Sequence, residues 1–258
     1  MWQILSFFRF LKKSKGVHRI HSPFVFQLYT QVILKERAFI VPENIENIRK
    51  ILRANTSGMQ SSPVGAGSRK LKKATVAISS VARISGSPEK YSRLLYRLAA
   101  YLKPATILEA GTSLGLGTAN LAGGSPNAGV LSLEANPDAI RIAVENFRIA
   151  GLKNIIVLEG LFVETLPEAL ARLKRVDLVF LDGDHRKEPT VRYVKQILPF
   201  MHNDSLLIMD DIHWSKEMED AWETVKNLPE VTVTIDLFRM GLVFFRKEQT
   251  PEHFILRY

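Results

Sequence analysis

Two short runs of this chain follow an apolar stretch with carboxylates and a histidine: Phe180-Leu181-Asp182-Gly183-Asp184-His185 and Leu207-Ile208-Met209-Asp210-Asp211-Ile212-His213-Trp214. If each apolar stretch is a strand, the acids sit at its carboxyl end, where open α/β sheets keep their ligands. Carboxylate oxygens without soft ligands suit hard divalent cations such as Mg2+ or Ca2+. An imidazole that titrates near neutrality can take a proton from a hydroxyl, so His185 is the first candidate base and His213 the reserve. Asp184 is either a further ligand or a group that orients His185. A third run offers bare backbone instead. Ile107-Leu108-Glu109-Ala110-Gly111-Thr112-Ser113-Leu114-Gly115-Leu116-Gly117-Thr118 ends a strand in an acid and enters a turn with three glycines. Glycine reaches positive φ and lets main-chain N–H groups approach a ligand, and a helix N-terminus beyond such a turn favours nucleotide-like groups. The spacing is E-x-G-x-x-x-G-x-G. The dinucleotide fingerprint G-x-G-x-x-G fails, because its third glycine position holds Asn120.

The elements around these runs follow from hydrophobic pattern. Strand-like segments are Thr106–Glu109, Val130–Leu133, Ile155–Leu158, Leu178–Leu181 and Leu206–Met209, separated by helical stretches that include Pro137–Ala150, capped by Asn136, and Glu164–Leu173. Strands alternating with helices predict a mostly parallel sheet covered on both faces. At the end, Val231–Phe238 and Leu242–Phe245 flank Arg239-Met240-Gly241, which predicts an antiparallel hairpin. Upstream, Ser22-Pro23 and Ser87-Pro88 both read as a serine cap with proline at the first helical position. Residues 56–69 read as a long loop, whose Gly65-Ala66-Gly67-Ser68 with Arg69 and Lys70 would suit either an anion-binding nest or a plain linker. The closing Glu252–Tyr258 carries no clear signal.

Composition bounds the class. An apolar share of 46% over 258 residues is globular, enough for one large domain or a domain with an appendage. The absence of cysteine excludes disulfides, thiolate catalysis and cysteine-based zinc sites, and it fits a cytoplasmic location. No apolar run is long enough for a membrane span, and the N-terminus lacks the leading basic region of a secretory signal. Residues 1–100 hold 18 Lys/Arg against 4 acids, whereas residues 101–258 hold 17 against 22. The basic half suits a cap docked on a slightly acidic domain, or a nucleic acid or an anionic membrane surface. The first 14 residues interleave Trp2, Ile4, Leu5, Phe7, Phe8, Phe10 and Leu11 with Arg9, Lys12 and Lys13, a stripe that suits docking onto the chain's own domain or lying on such a membrane.

Five parallel strands, a closing hairpin and the E-x-G-x-x-x-G-x-G turn together resemble a class I S-adenosylmethionine (SAM) dependent methyltransferase, over about residues 86–248. Within that class the motifs are most similar to the metal-dependent catechol and caffeoyl-CoA type O-methyltransferases. The resemblance implies an α/β, Rossmann-like, doubly wound and mostly parallel seven-stranded sheet with a C-terminal antiparallel hairpin. Residues 1–85 would form a helical N-terminal extension with a flexible loop at 56–70, and residues 86–258 the catalytic domain. Glu109, Gly111, Thr112, Ser113, Gly115 and Gly117 would then lie at the methionine part of SAM. Glu134, with Ala135, would accept the ribose hydroxyls, although Glu134 read alone also suits a helix-dipole acid ahead of Asn136. Gly160, Leu161 and Phe162 would line the adenine, and Asp182 would contribute both to the cofactor and to the chemistry.

The related enzymes bind metal through an acid ending the fourth strand and an Asp-Asn pair ending the fifth, positions held here by Asp182, Asp210 and Asp211. Asp211 in place of Asn adds a negative charge, which would strengthen divalent cation binding. His185 stands where the catechol enzyme carries its catalytic lysine. The expected reaction is SAM-dependent O-methylation of a small-molecule hydroxyl, with Mg2+ or another hard divalent ion assisting. The alternatives are a metal-independent SAM enzyme acting on an amine or nucleic acid, and a non-catalytic module targeted by its basic N-terminus.

Overall fold

The computed structural model describes residues 2–36, 39–61, 74–84 and 86–258. Among the described residues there are ten strands: β1 (Gly58–Gln60), β2 (Thr75–Ala77), β3 (Thr106–Ala110), β4 (Gly129–Glu134), β5 (Ile155–Glu159), β6 (Leu178–Leu181), β7 (Leu206–Met209), β8 (Val233–Asp236), β9 (Gly241–Phe244) and β10 (Glu252–Ile255). The chain divides into two compact units, residues 1–38 with 173–258, and residues 39–172. The helices of the first 85 residues are therefore shared between the two.

In the first unit the strand order is β10-β8-β9-β7-β6. Strands β6 and β7 are parallel and buried at every position, which is why both read as unbroken apolar runs rather than alternating ones. The expected hairpin is β8–β9, antiparallel, with Asp236 opposite Gly241. Its connection is Leu237–Met240, closed by the Leu237 N–H donating to the Met240 carbonyl at 2.9 Å, so Gly241 begins the strand instead of ending the turn. The reason is packing: a Cβ on Gly241 would lie 2.5 Å from Cζ3 of Trp222, which is buried on the helix Lys216–Lys226. The tail, silent in sequence, adds β10 in parallel to β8 and buries Phe254. The Rossmann-like architecture thus has eight strands in place of the expected seven.

The second unit carries β3-β4-β5, all parallel, and the separate antiparallel pair β1-β2. The helix Glu43–Ala54 and this pair pack Ile45, Ile48, Leu52, Met59 and Val76 into one core with Leu114, Leu116, Ile142 and Phe147. Gly58–Gln60 is therefore strand, not loop. Residues 62–70 of that expected loop, including Gly65, Gly67, Arg69 and Lys70, lie outside the described residues. Caps are mixed in outcome. Ser22 caps Pro23–Leu28 by accepting the Val25 N–H at 3.3 Å, and Asn136 caps Pro137–Ile149 through the Asp138 and Ala139 N–H groups. Pro88 itself occupies the cap of Glu89–Leu102, because the Ser87 carbonyl is taken by the buried Arg49 guanidinium at 2.9 Å.

The N-terminal helix Trp2–Lys13 is held to the first unit through His213. Its Ser6 hydroxyl donates to Glu219 and lies 3.1 Å from His213 Nδ1, while Phe7 and Phe10 meet the Phe238 ring at 5.0 and 5.4 Å. His213 itself bridges Glu219 at 2.9 Å and Asp236 at 2.8 Å, with its ring stacked on Phe238. Burial opposes its charge, but the Asp236 and Glu219 carboxylates outweigh burial and raise its pKa above the ordinary value.

Two outcomes are expected. Gly241→Ala should lose on the order of 1–3 kcal/mol of stability through overpacking against Trp222, read by urea denaturation. Gly129→Ala, whose Cβ meets nothing within 4 Å, should change it little. Because the folded pKa of His213 is raised, its stabilisation is full below the unfolded value of about 6.5 and is lost as pH rises through the folded value. The melting temperature should therefore fall more steeply with rising pH in the wild type than in His213→Gln; parallel pH profiles would contradict this role.

Candidate active site

In the second unit the site begins where β3 ends. Gly111 (φ 109°), Ser113 (φ 48°) and Gly115 (φ 83°) turn the chain sharply into the helix Leu116–Gly124. The Gly111 and Thr112 N–H groups donate to the Leu133 carbonyl at 2.9 and 3.2 Å, which pins the turn against the end of β4. Gly115 is required twice, by its positive φ and because a Cβ there would lie 2.6 Å from the Phe147 ring.

The acid that ends β4 lies within this turn. Glu134 accepts the Ser113 N–H at 2.8 Å on one carboxylate oxygen, and the Ala135 and Asn136 N–H groups at 2.9 Å each on the other. Gly160 (φ 144°), just past β5, donates its N–H to the Glu134 carbonyl at 2.9 Å. Gly111, Thr112, Ser113, Glu134, Ala135 and Gly160 are thus brought together where β3, β4 and β5 end. Leu161 is exposed, and Phe162 is half-buried at the start of the helix Phe162–Leu173.

Sequence reading missed the outer wall of this turn. The Asn136 side chain donates to the Gln60 carbonyl at 2.9 Å, and the Gln60 N–H donates to Asp138 at 2.8 Å. The bonds cross 76 and 78 positions, and no local pattern announces them.

Glu109 lies beneath the turn, fully buried. One of its oxygens accepts the Thr118 and Ser132 hydroxyls, while Oε1 has no partner among the described residues. Burial, with a smaller push from Glu134, raises its pKa to about 7 against the pull of the two hydroxyls. A buried polar atom left without a partner is unusual in a native fold and marks a place for a ligand atom or water.

In the first unit, Asp182 follows β6, with one oxygen 3.7 Å from His185 Nε2. The His185 ring lies 5.8 Å from that of Trp214. Asp184 and His185 both have positive φ, 68° and 44°, a strained turn of the kind that fixes side-chain direction at working sites. Asp184 bonds Arg186 at 2.5 Å and Tyr193 at 3.3 Å, so it does not orient His185.

Asp210 and Asp211 follow β7. Arg239 reaches back from the β8–β9 connection, donating to Asp210 at 3.1 Å and pairing with Asp211 at 3.3 Å. The Ile212 N–H bonds the Arg239 carbonyl at 3.1 Å, which ties the two segments together. Burial and the neighbouring Asp210 push Asp211 up to about 6, against the pull of Arg239 and His185. Burial disfavours the charge on Arg239, but Asp210, Asp211 and Asp182 outweigh it and hold its pKa above the ordinary value.

This arrangement does not fit the metal expected on Asp182, Asp210 and Asp211. Among the described residues no three His, Asp or Glu side chains are grouped to hold an ion, and the Asp210–Asp211 pair already faces a guanidinium. The cation at these acids is Arg239, 29 positions from Asp210 and inside a hairpin connection. The reserve base is also accounted for: both ring nitrogens of His213 are engaged by Glu219, Ser6 and Asp236.

Residues 108–212 match a family model described as a methyltransferase domain. No curated protein sequence matches the chain. Among solved structures it is similar to the S-adenosylhomocysteine (SAH) bound methyltransferase PaMTH1 of Podospora anserina, at 15% identity over 88% of this chain and 97% of that one, with a TM-score of 0.62. It is similar to the O-methyltransferase from Bacillus cereus in complex with SAH, at 19% identity over 82% and 94%, TM-score 0.57. It is also similar to the O-methyltransferase TomG of Streptomyces achromogenes, involved in tomaymycin synthesis and in complex with SAM, at 15% identity over 84% and 96%, TM-score 0.60. At these identities the structures share a fold with this chain, and residues 108–212 within that fold are the ones that match the methyltransferase domain model.

Proposed function

We propose that the protein transfers the methyl group of SAM to a hydroxyl oxygen of a small molecule without a divalent metal. The observation that carries the reading is the Glu134 cradle. A carboxylate oriented by three main-chain N–H groups beside a glycine turn supports the reading of Glu134 as the ribose acid, because little ordering of the side chain remains for binding. Glu109 Oε1, buried and without a partner among the described residues, supports a polar contact to the same ligand. SAM supplies an electrophilic methyl on a sulfonium, so the chain's tasks are positioning and removal of one proton.

His185 takes that proton from the acceptor hydroxyl, and the Asp182 carboxylate lies 3.7 Å from its Nε2. Arg239 neutralises Asp210 and Asp211, so these acids do not repel an acceptor as it loses its proton. The O-methyltransferase names among the similar structures agree with this choice of acceptor atom.

Isothermal titration calorimetry with SAH tests the cofactor. The wild type should bind, and Glu134→Ala should weaken binding by about tenfold or more, the loss expected for hydrogen bonds to a charged group. NAD should give no heat. No heat with SAM or SAH, or unchanged affinity in Glu134→Ala, would overturn the reading.

A further inference from the structure

The helix Trp2–Lys13 has two unlike faces. Ser6 and Phe10 are buried against the first unit, held by Glu219, His213 and Phe238. Ile4, Leu5, Phe8 and Leu11 are instead 62, 55, 64 and 37% exposed. Positions 4, 8 and 11 follow the i, i+4, i+7 spacing of a single helix face, so these side chains form a stripe in water rather than scattered surface residues. Docking onto the chain itself explains only the buried face.

Charge identifies what the other face meets. Residues 1–35 contain six Lys/Arg and no acid. Lys12 and Lys13 end the helix and are exposed, with Lys15 and Arg19 just beyond. Bulky apolar side chains with lysines at their margin are the composition of a helix that lies in a bilayer interface, its apolar face among acyl chains and its cations at anionic headgroups. Nucleic acid would engage the cations but leave the apolar stripe in water. No described helix is long and apolar enough to cross a membrane, which leaves surface seating as the mode. We infer that Ile4, Leu5, Phe8 and Leu11, with Lys12 and Lys13, seat the protein on an anionic lipid surface.

Vesicle flotation of the full chain tests this. The wild type should float with phosphatidylcholine vesicles containing about 30% phosphatidylglycerol and not with phosphatidylcholine alone, since seating needs both apolar and charge contributions. Ile4→Glu with Phe8→Glu should cut the floated fraction by about tenfold, and Lys12→Glu with Lys13→Glu should act comparably on anionic vesicles. All four positions are exposed, so wild-type melting temperatures should be retained, and the lysine pair keeps the test open if the apolar pair does not fold. Absence of wild-type flotation with anionic vesicles, or flotation of both variants to the same extent as the wild type, would overturn the inference. So would light scattering that shows a dimer made monomeric by Ile4→Glu with Phe8→Glu, which would place a second copy on this face.

Discussion

The Asp210 carboxylate has no solvent exposure, and a positive charge stands beside it: the Arg239 guanidinium at 3.1 Å. Removing one partner of such a pair leaves the other as an uncompensated buried ion, which typically costs about 3–5 kcal/mol. Asp210 directly follows β7, and Arg239 lies in the connection between β8 and β9, so the pair couples the sheet to its closing hairpin. The Ile212 N–H bond to the Arg239 carbonyl adds a main-chain link in the same place. The same guanidinium feels Asp211 and Asp182, so one charge governs every acid that the sequence marked for metal.

Glu134 follows the opposite rule. Its carboxylate is met by three N–H dipoles rather than a counter-ion. One of those dipoles, the Ser113 N–H, is aimed by the turn in which Gly111, Ser113 and Gly115 adopt positive φ, and the other two belong to Ala135 and Asn136 directly after the acid. Glu109 below carries the burial cost, and its pKa near 7 reflects a carboxyl kept from water with only two hydroxyls for support. Pre-orientation of this kind lowers the ordering cost of binding rather than adding contacts.

Much of the frame was legible because it is local. Strands β6 and β7 fall at the expected residues, since unbroken apolar runs bounded by polar turns admit few other readings. Strands β3, β4 and β5 differ by a residue at their ends. The glycine turn and Glu134 stood out because their spacing constrains the backbone directly. Arg239 did not, because a buried ion pair joins residues with no shared period, and a lone arginine in a hairpin connection resembles any solvated turn residue. The setting of His213 was hidden for the same cause: its partners Ser6, Glu219 and Asp236 come from three separate segments. Strand β10 was hidden by its brevity and half-polar pattern, and only pairing with β8 defines it.

The account turns on whether the acids at the ends of β6 and β7 are neutralised by Arg239 or by a metal. Titration of Mn2+ followed by electron paramagnetic resonance decides this directly, because bound Mn2+ loses the signal of the free ion. The wild type should leave the free-ion signal unchanged through the micromolar range, and Arg239→Ala, where the fold survives, should acquire a site. Tight Mn2+ binding by the wild type that disappears in Asp211→Asn would contradict the account and return the metal to these carboxylates.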